Sequence, residues 1–212
     1  EVEPLYGKHY LPRKFKIAIT IPPYNDMDVY ANDIGLIAIA ENGKLQGFNV
    51  AVGGGLGMTF GREDTYARLA SVIGFCTPEQ VLKVCYHIVG IQRDFGNRQD
   101  RKLSRFKYTL DQYGLDWFKQ ELNTRLGFEL TPIRPFEFTT TGDRFGWSET
   151  TDGLWHLGLR LEYGRILDTE TQQLKTALLE IARANLCSFR MTGNQNLVLV
   201  NVKPEDKVVI KG

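Results

Sequence analysis

Two apolar runs, 35–41 and 45–52, flank Asn42-Gly43, and the second leads straight into Gly53-Gly54-Gly55-Leu56-Gly57. Asn-Gly supplies the positive φ angles of a tight turn, so the two runs are expected to pair as a β-hairpin. The glycine run is too glycine-rich for regular structure and lets backbone approach another group closely. Upstream, Phe15, Ile17, Ile19 and Ile21 alternate with Lys14, Lys16, Ala18 and Thr20, the period of a strand, which Pro22-Pro23 ends. Downstream, Thr77, Pro78 and Gln80 supply the cap, first-turn proline and capping-box partner of a helix start. Val81, Val84, Cys85 and Ile88 then fall on one helical face. A second helical zone runs over 100–126, with a weak point at Gly114 and Gly127 as its terminating residue. Helix on sheet is the implied packing.

After Pro132, Pro135 and the irregular stretch 139–142, a smaller β-α-β unit is expected beyond Asp152. Strands are predicted over 155–162, 165–167, 188–192 and 197–202, with a turn at Tyr163-Gly164. Leu174, Ala177, Leu178 and Ile181 mark its helix. Pro204-Glu205-Asp206 resembles the first turn of another helix, and the chain ends soon after, which reads as a truncation boundary. The expected class is α/β with mixed sheets, in two domains, 1–150 and 151–212.

A content of 42% hydrophobic and 24% charged residues excludes disorder as the main description. With 26 Lys plus Arg against 25 Asp plus Glu, the net charge of +1 steers the chain toward neither nucleic acid nor anionic lipid. No apolar run reaches the roughly 18 residues of a membrane span, and 1–20 lack a signal-peptide layout. A soluble, cytoplasmic chain is expected, with a plastid the other possible compartment. Cys76, Cys85 and Cys187 lack the C-x-x-C spacing of zinc or redox sites, and His9, His87 and His156 form no H-E-x-x-H motif. Reduced thiols and no protein-ligated metal are therefore expected.

Candidate chemistry begins with Lys14 and Lys16. On a strand they share a face, about 7 Å apart. Lysines guarding an exposed strand edge are the commoner explanation of such a pair, and Arg13 beside them adds to the case for an anion site. Arg93, Arg98, Arg101, Lys102, Arg105 and Lys107 form a second basic concentration. Arg98, Arg101 and Arg105 would lie on one side of a helix, either as a solvated face or as a stripe for a polyanionic ligand. The cluster Asn25, Asp26, Asp28, Asn32 and Asp33 lacks an EF-hand's glycine and terminal glutamate, so local turn hydrogen bonding is expected there. The glycine run matches neither a P-loop nor a dinucleotide fingerprint.

The strings Leu11-Pro12-Arg13-Lys14-Phe15-Lys16, Ala31-Asn32-Asp33, Gly47-Phe48-Asn49, Gly53-Gly54-Gly55, Gln92-Arg93-Asp94, Asp100-Arg101-Lys102, Lys107-Tyr108 and Asn194-Gln195-Asn196-Leu197 occur in this order along the chain. Together they closely resemble the sirohaem-dependent sulfite and nitrite reductases, the sulfite-reducing members most of all. The resemblance implies a six-electron reduction of sulfite to sulfide at a sirohaem coupled to a [4Fe-4S] cluster, with ferredoxin or a flavoprotein reductase as electron donor. It implies that Lys14 and Lys16 contact substrate. It further implies that Arg13, Arg101, Arg105, Lys107 and Gln195 bind the carboxylates of the macrocycle, and that Gly53, Gly54 and Gly55 let backbone lie close to it.

The family's cluster-binding C-x5-C and C-x3-C pairs are absent, as is a preceding arginine-bearing segment. The expectation is therefore a middle segment, missing N- and C-terminal parts of its own chain. It would comprise the cluster-free sulfite/nitrite reductase repeat module followed by a truncated ferredoxin-like half-module, inactive and cofactor-free in isolation. A segment of a ferredoxin-nitrite reductase, or a non-redox binding or structural module, stands as the alternative.

Overall fold

The computed structural model describes residues 3–211, and the chain divides into two compact units, Glu1–Thr141 and Gly142–Gly212. In the first unit the strands are β1 (Ile17–Thr20), β2 (Tyr24–Asn25), β3 (Ile34–Glu41), β4 (Lys44–Val52), β5 (Ser71–Cys76) and β6 (Thr140–Thr141). Its helices are α1 (Val81–Phe95), α2 (Phe106–Tyr113) and α3 (Leu115–Leu126). The main sheet has the order β1-β3-β4-β5, with β1 parallel to β3 and the other pairs antiparallel, while β2 and β6 form a separate two-stranded ribbon. Asn42 and Gly43 both take positive φ, 52° and 74°, and the hairpin closes on the pair Glu41–Lys44 as their chemistry requires.

The core joins Ile34, Leu36, Val50 and Val52 of the hairpin to Val84, Ile88 and Ile91 of α1, Phe106 and Leu110 of α2, and Phe118, Leu122 and Leu126 of α3. The capping box before α1 is partly realised, because the Gln80 side chain accepts the Thr77 backbone N–H at 3.0 Å. The predicted helical zone 100–126 is interrupted twice. Arg101–Leu103 forms a 3₁₀ turn, regular helix begins only at Phe106, and Gly114, at φ 88°, separates α2 from α3. Gly127 ends α3 in the left-handed region at φ 74°.

Strand β1 departs from expectation in length and in orientation. Its alternation holds, but Ala18 and Thr20 face inward, while Ile17, Ile19 and Ile21 are 48%, 53% and 62% exposed. Burying Thr20 is inexpensive because its hydroxyl donates to the Tyr24 carbonyl at 2.6 Å. Lys14 and Lys16 precede the strand rather than lying on it, since the Lys16 N–H donates to the Asp33 side chain instead of to a neighbouring strand.

The second unit holds β7 (Gly146–Glu149), β8 (Trp155–Leu159), α4 (Leu174–Arg183), β9 (Ser188–Met191), β10 (Leu197–Val202) and α5 (Asp206–Lys211). Its antiparallel sheet runs β7-β8-β10-β9. This leaves β8 and β9 parallel around β10, a split β-α-β unit crossed over by α4. Leu174, Leu178 and Ile181 of α4 pack with Leu197, Leu199 and Val202 of β10. The division between the units falls before β7, a strand that sequence periodicity does not reveal. β7 belongs to the second unit because it pairs with β8. The strand expected over 165–167 is absent, and Glu162–Gly164 is a 3₁₀ turn. The helix begun at Pro204-Glu205-Asp206 forms as α5.

Candidate functional site

The segment entering β1 is anchored by Phe15, whose ring packs on Phe106 with centroids 5.3 Å apart, while Lys14 and Lys16 on either side of it are exposed. Alternation in extended chain thus turns both ammonium groups outward, as expected, although not from a strand. Arg13, Lys14, Phe15 and Ile17 line a cavity of about 500 Å³ together with Leu5, Tyr6, Tyr10 and Leu11. The 5–10 part of that lining is held by arginines. Arg93 donates to the Leu5 carbonyl at 2.8 Å, and Arg98 donates to those of His9 and Tyr10 at 3.0 and 2.7 Å.

The basic stripe therefore does not act as one surface. Arg98 is committed to main-chain carbonyls, Arg101 is exposed on the 3₁₀ turn, and Arg105, just before α2, turns inward. Its Nη2 donates to both oxygens of Asp33, at 3.2 and 3.1 Å, and its Nε is buried without a partner. Asp33 is completely buried and also accepts the Lys16 N–H at 2.9 Å. Burial raises its carboxyl above the usual range, opposed by the Arg105 charge and the Lys16 N–H.

Lys107, expected among the cofactor contacts, is 1% exposed. Its ammonium donates to the carbonyls of Gly55 and Gly57, each at 2.9 Å, and to that of Tyr66. Burial, and then the Arg105 charge, lowers its pKa. The glycine run likewise serves close approach within the chain. A Cβ on Gly53 would sit 2.2 Å from Leu110 Cδ1, and one on Gly54 would sit 2.1 Å from the Tyr30 carbonyl oxygen. A Cβ on Gly55 would meet Arg105 Nη2 and Lys107 Cδ, both at 3.4 Å. Lys107 and the three glycines are thus buried and engaged with other parts of the chain, Gly55 lying beside Arg105.

In the second unit, Gln195 sits in the left-handed region at φ 65°, in the turn between β9 and β10. Asp143 sets that turn, accepting from the Thr192 hydroxyl at 2.5 Å, Asn196 Nδ2 at 2.7 Å and Asn194 Nδ2 at 3.0 Å. Burial alone would raise the Asp143 pKa, but the hydrogen bonds from Thr192, Asn196 and Asn194 outweigh it and hold the carboxyl below its ordinary value.

Arg13 and Lys14 on the cavity, with Lys16 exposed two residues on, are a donor set that fits a ligand bearing carboxylates and an anionic substrate; Arg101 is exposed on its own 3₁₀ turn. The same residues do not fit an iron–sulfur cluster. Among the described residues no group of three or more His, Cys, Asp or Glu side chains could hold a metal ion. Burial also pushes the Cys76 thiol up to about 12 and that of Cys85 up to about 11, opposite to what a thiolate ligand needs.

Sequence reasoning misses Asp33 and Asp143. Spacing groups Asp33 with a turn cluster, and its neighbours do behave that way. Asn32 Nδ2 donates to the carbonyls of Met27 and Asp28, and Asn25 Oδ1 accepts the Val29 N–H. A carboxylate following two hydrogen-bonding turn residues and preceding a run of buried apolar ones is the available signal.

Residues 1–130 match the family model described as the nitrite and sulphite reductase 4Fe-4S domain, and residues 148–211 match that of the nitrite/sulfite reductase ferredoxin-like half domain. The chain is 57% identical over 211 residues to a protein of Paenibacillus sp. (strain JDR-2) named sulfite reductase [NADPH] hemoprotein beta-component, across 99% of this chain and 37% of that one. A protein of the same name from Shouchella clausii (strain KSM-K16) is 54% identical over 211 residues, across 100% of this chain and 37% of its own length. The chain thus spans little more than a third of these curated relatives. Among solved structures, the Mycobacterium tuberculosis NirA protein superposes with a TM-score of 0.78 at 26% identity, over 96% of this chain and 36% of that one.

Proposed function

This chain belongs to the nitrite and sulphite reductase family, and on that premise we propose that it works as one segment of a sulfite reductase haemoprotein that reduces sulfite to sulfide. The names of its relatives support NADPH as the original source of electrons, and a flavoprotein reductase rather than ferredoxin would then deliver them. Sirohaem coupled to a [4Fe-4S] cluster would supply the electrons and the iron at which sulfur is reduced. A cytoplasmic setting accords with this chemistry, and no described helix is long and apolar enough to cross a membrane.

On this reading Lys14 and Lys16 bind sulfite oxygens through Nζ and donate protons there as those oxygens leave as water. Lysine suits this task because an ammonium both attracts the anion and can release a proton, whereas a guanidinium in practice does not. Arg13 and Arg101 pair with macrocycle carboxylates. Arg105, Lys107 and the glycines Gly53, Gly54 and Gly55 hold the wall from which the lysines project. The observation that carries the reading is the outward display of Lys14 and Lys16 around the half-buried anchor Phe15, beside a cavity that Arg13 and Lys14 line.

The test is Lys16→Asn in the full-length protein, assayed on sulfite and nitrite with a dye reductant. Sulfite carries more charge and one more oxygen than nitrite, so losing one ammonium should lower kcat/KM for sulfite by about tenfold or more beyond any loss for nitrite. That factor follows from the roughly 1.5–3 kcal/mol of a charge-assisted hydrogen bond. Equal losses would make Lys16 a general cofactor support rather than a substrate contact.

A further inference from the structure

The segment carrying the two lysines has little regular structure to hold it in place. Lys16 is not part of β1, and its backbone N–H has the side chain of Asp33, 17 residues away, as its acceptor at 2.9 Å. Its carbonyl accepts the Ile34 N–H at 3.0 Å, so both main-chain groups of Lys16 are held by the start of β3. Asp33 is in turn fixed from two sides. Its carboxylate receives Arg105 Nη2 at 3.1 Å, and its carbonyl receives the Gly53 N–H at 2.9 Å. Arg105 is the residue just before α2 and Phe106 the first residue of that helix, and Phe106 is the ring on which Phe15 packs. Two successive residues at one helix start therefore place two successive residues of the lysine segment, one through the Asp33 carboxylate and the other through ring contact.

We propose that Asp33 is a positioning residue for this site. By holding the Lys16 backbone and the Arg105 guanidinium at once, its buried carboxylate sets where the Lys16 ammonium stands. The proposal rests on the reading of Lys16 as a substrate contact. A carboxylate suits the role better than a neutral acceptor, because it accepts an N–H and a guanidinium together and balances the inward-turned positive charge of Arg105 without competing for the anion outside. Complete burial keeps solvent from loosening either bond.

The experiment is a double-mutant cycle in the full-length holoenzyme, comparing wild type, Asp33→Ala, Lys16→Ala and the double variant by kcat and KM for sulfite. Amide hydrogen exchange over the peptide 13–17 is measured on the same proteins. Asp33→Ala and Lys16→Ala are each expected to lower kcat/KM by tenfold or more. The double variant should be about as slow as Lys16→Ala alone, because misplacing an ammonium that is no longer there has no further effect. Exchange over 13–17 should accelerate in Asp33→Ala and remain slow in Lys16→Ala, which keeps the main-chain bond. If Asp33→Ala does not yield folded holoenzyme, Asp33→Ala combined with Arg105→Gln removes the acceptor and the otherwise unpaired charge together and enters the cycle in its place. Losses that multiply in the double variant, or unchanged exchange over 13–17, would overturn the positioning role while leaving Lys16 a substrate contact. A Lys16→Ala enzyme with undiminished sulfite turnover would overturn the reading of Lys16 and this proposal with it.

Discussion

An ammonium removed from water is tolerated only where its protons find acceptors, and Lys107 shows how completely a buried position can commit a lysine. Its three donors go to Gly55, Gly57 and Tyr66, and the Tyr108 ring centroid lies 4.9 Å from Nζ. Replacing it with methionine keeps most of the volume but removes the donor from the Gly57 and Tyr66 carbonyls, while the Gly55 carbonyl still accepts the Arg68 N–H at 3.0 Å. Lys107→Met should therefore destabilise the chain by about 1–3 kcal/mol in urea denaturation, on the order of losing hydrogen bonds from a charged donor. Loss of less than about 0.5 kcal/mol would mean that water replaces the ammonium and that the clamp is unimportant. Arg105 belongs to the same class, an arginine whose nearest anion is the chain's own Asp33.

At the scale of elements, the glycine run and the β9–β10 turn make separate, measurable demands. Gly54 packs against the main chain of Tyr30 and Asn32, whereas nothing lies within 4 Å of where a Gly57 Cβ would stand. Gly54→Ala should accordingly cost about 3 kcal/mol or more, or prevent folding, while Gly57→Ala should stay within about 0.5 kcal/mol of wild type in the same assay. Comparable effects at both positions would deny the close approach.

The β9–β10 turn depends on pH through Asp143. Because its folded pKa lies below the unfolded value, its contribution is fully present above about 3.9, the ordinary carboxylate pKa, and is lost as pH falls through the folded value. Asp143→Ala should cost about 1–3 kcal/mol at neutral pH, and the difference from wild type should shrink in acid. Urea titrations at pH 7 and below about 4 read this directly, and a pH-independent difference would assign the loss to packing instead.

For the molecule as a whole, thiol chemistry sets the limit on what these residues can hold by themselves. The three cysteines, Cys76, Cys85 and Cys187, are free, and burial raises the pKa of each. The 212-residue chain purified alone is therefore expected to carry neither iron nor sirohaem and to reduce no sulfite, since a cluster needs its thiolates and a partial pocket loses most of its contacts. Iron analysis and a visible spectrum check this. A sirohaem band with stoichiometric iron and sulfide would show that the described residues form a fuller site than their donor set indicates.

Features that depend on neighbours along the chain are legible in the amino-acid sequence itself. The Asn42-Gly43 hairpin, the Thr77–Gln80 turn that leads into α1, the α3 end at Gly127 and the apolar stripe of α4 each follow from turn, cap and periodicity rules acting within a few residues. The motif order that places the chain in its family is likewise written in the sequence. Alternation in β1 is legible too, but not that Ala18 and Thr20 face inward, because the direction a strand faces is set by what packs on each side of it. The partners of the basic residues are hidden for the same reason. Arg105 meets Asp33 across 72 positions, and Lys107 reaches Gly55 across 52. Spacing tells which charges could share a face. Whether a charge meets solvent, a ligand or a buried carboxylate depends on which distant segments the hydrophobic core brings beside it, and only the tertiary structure decided that.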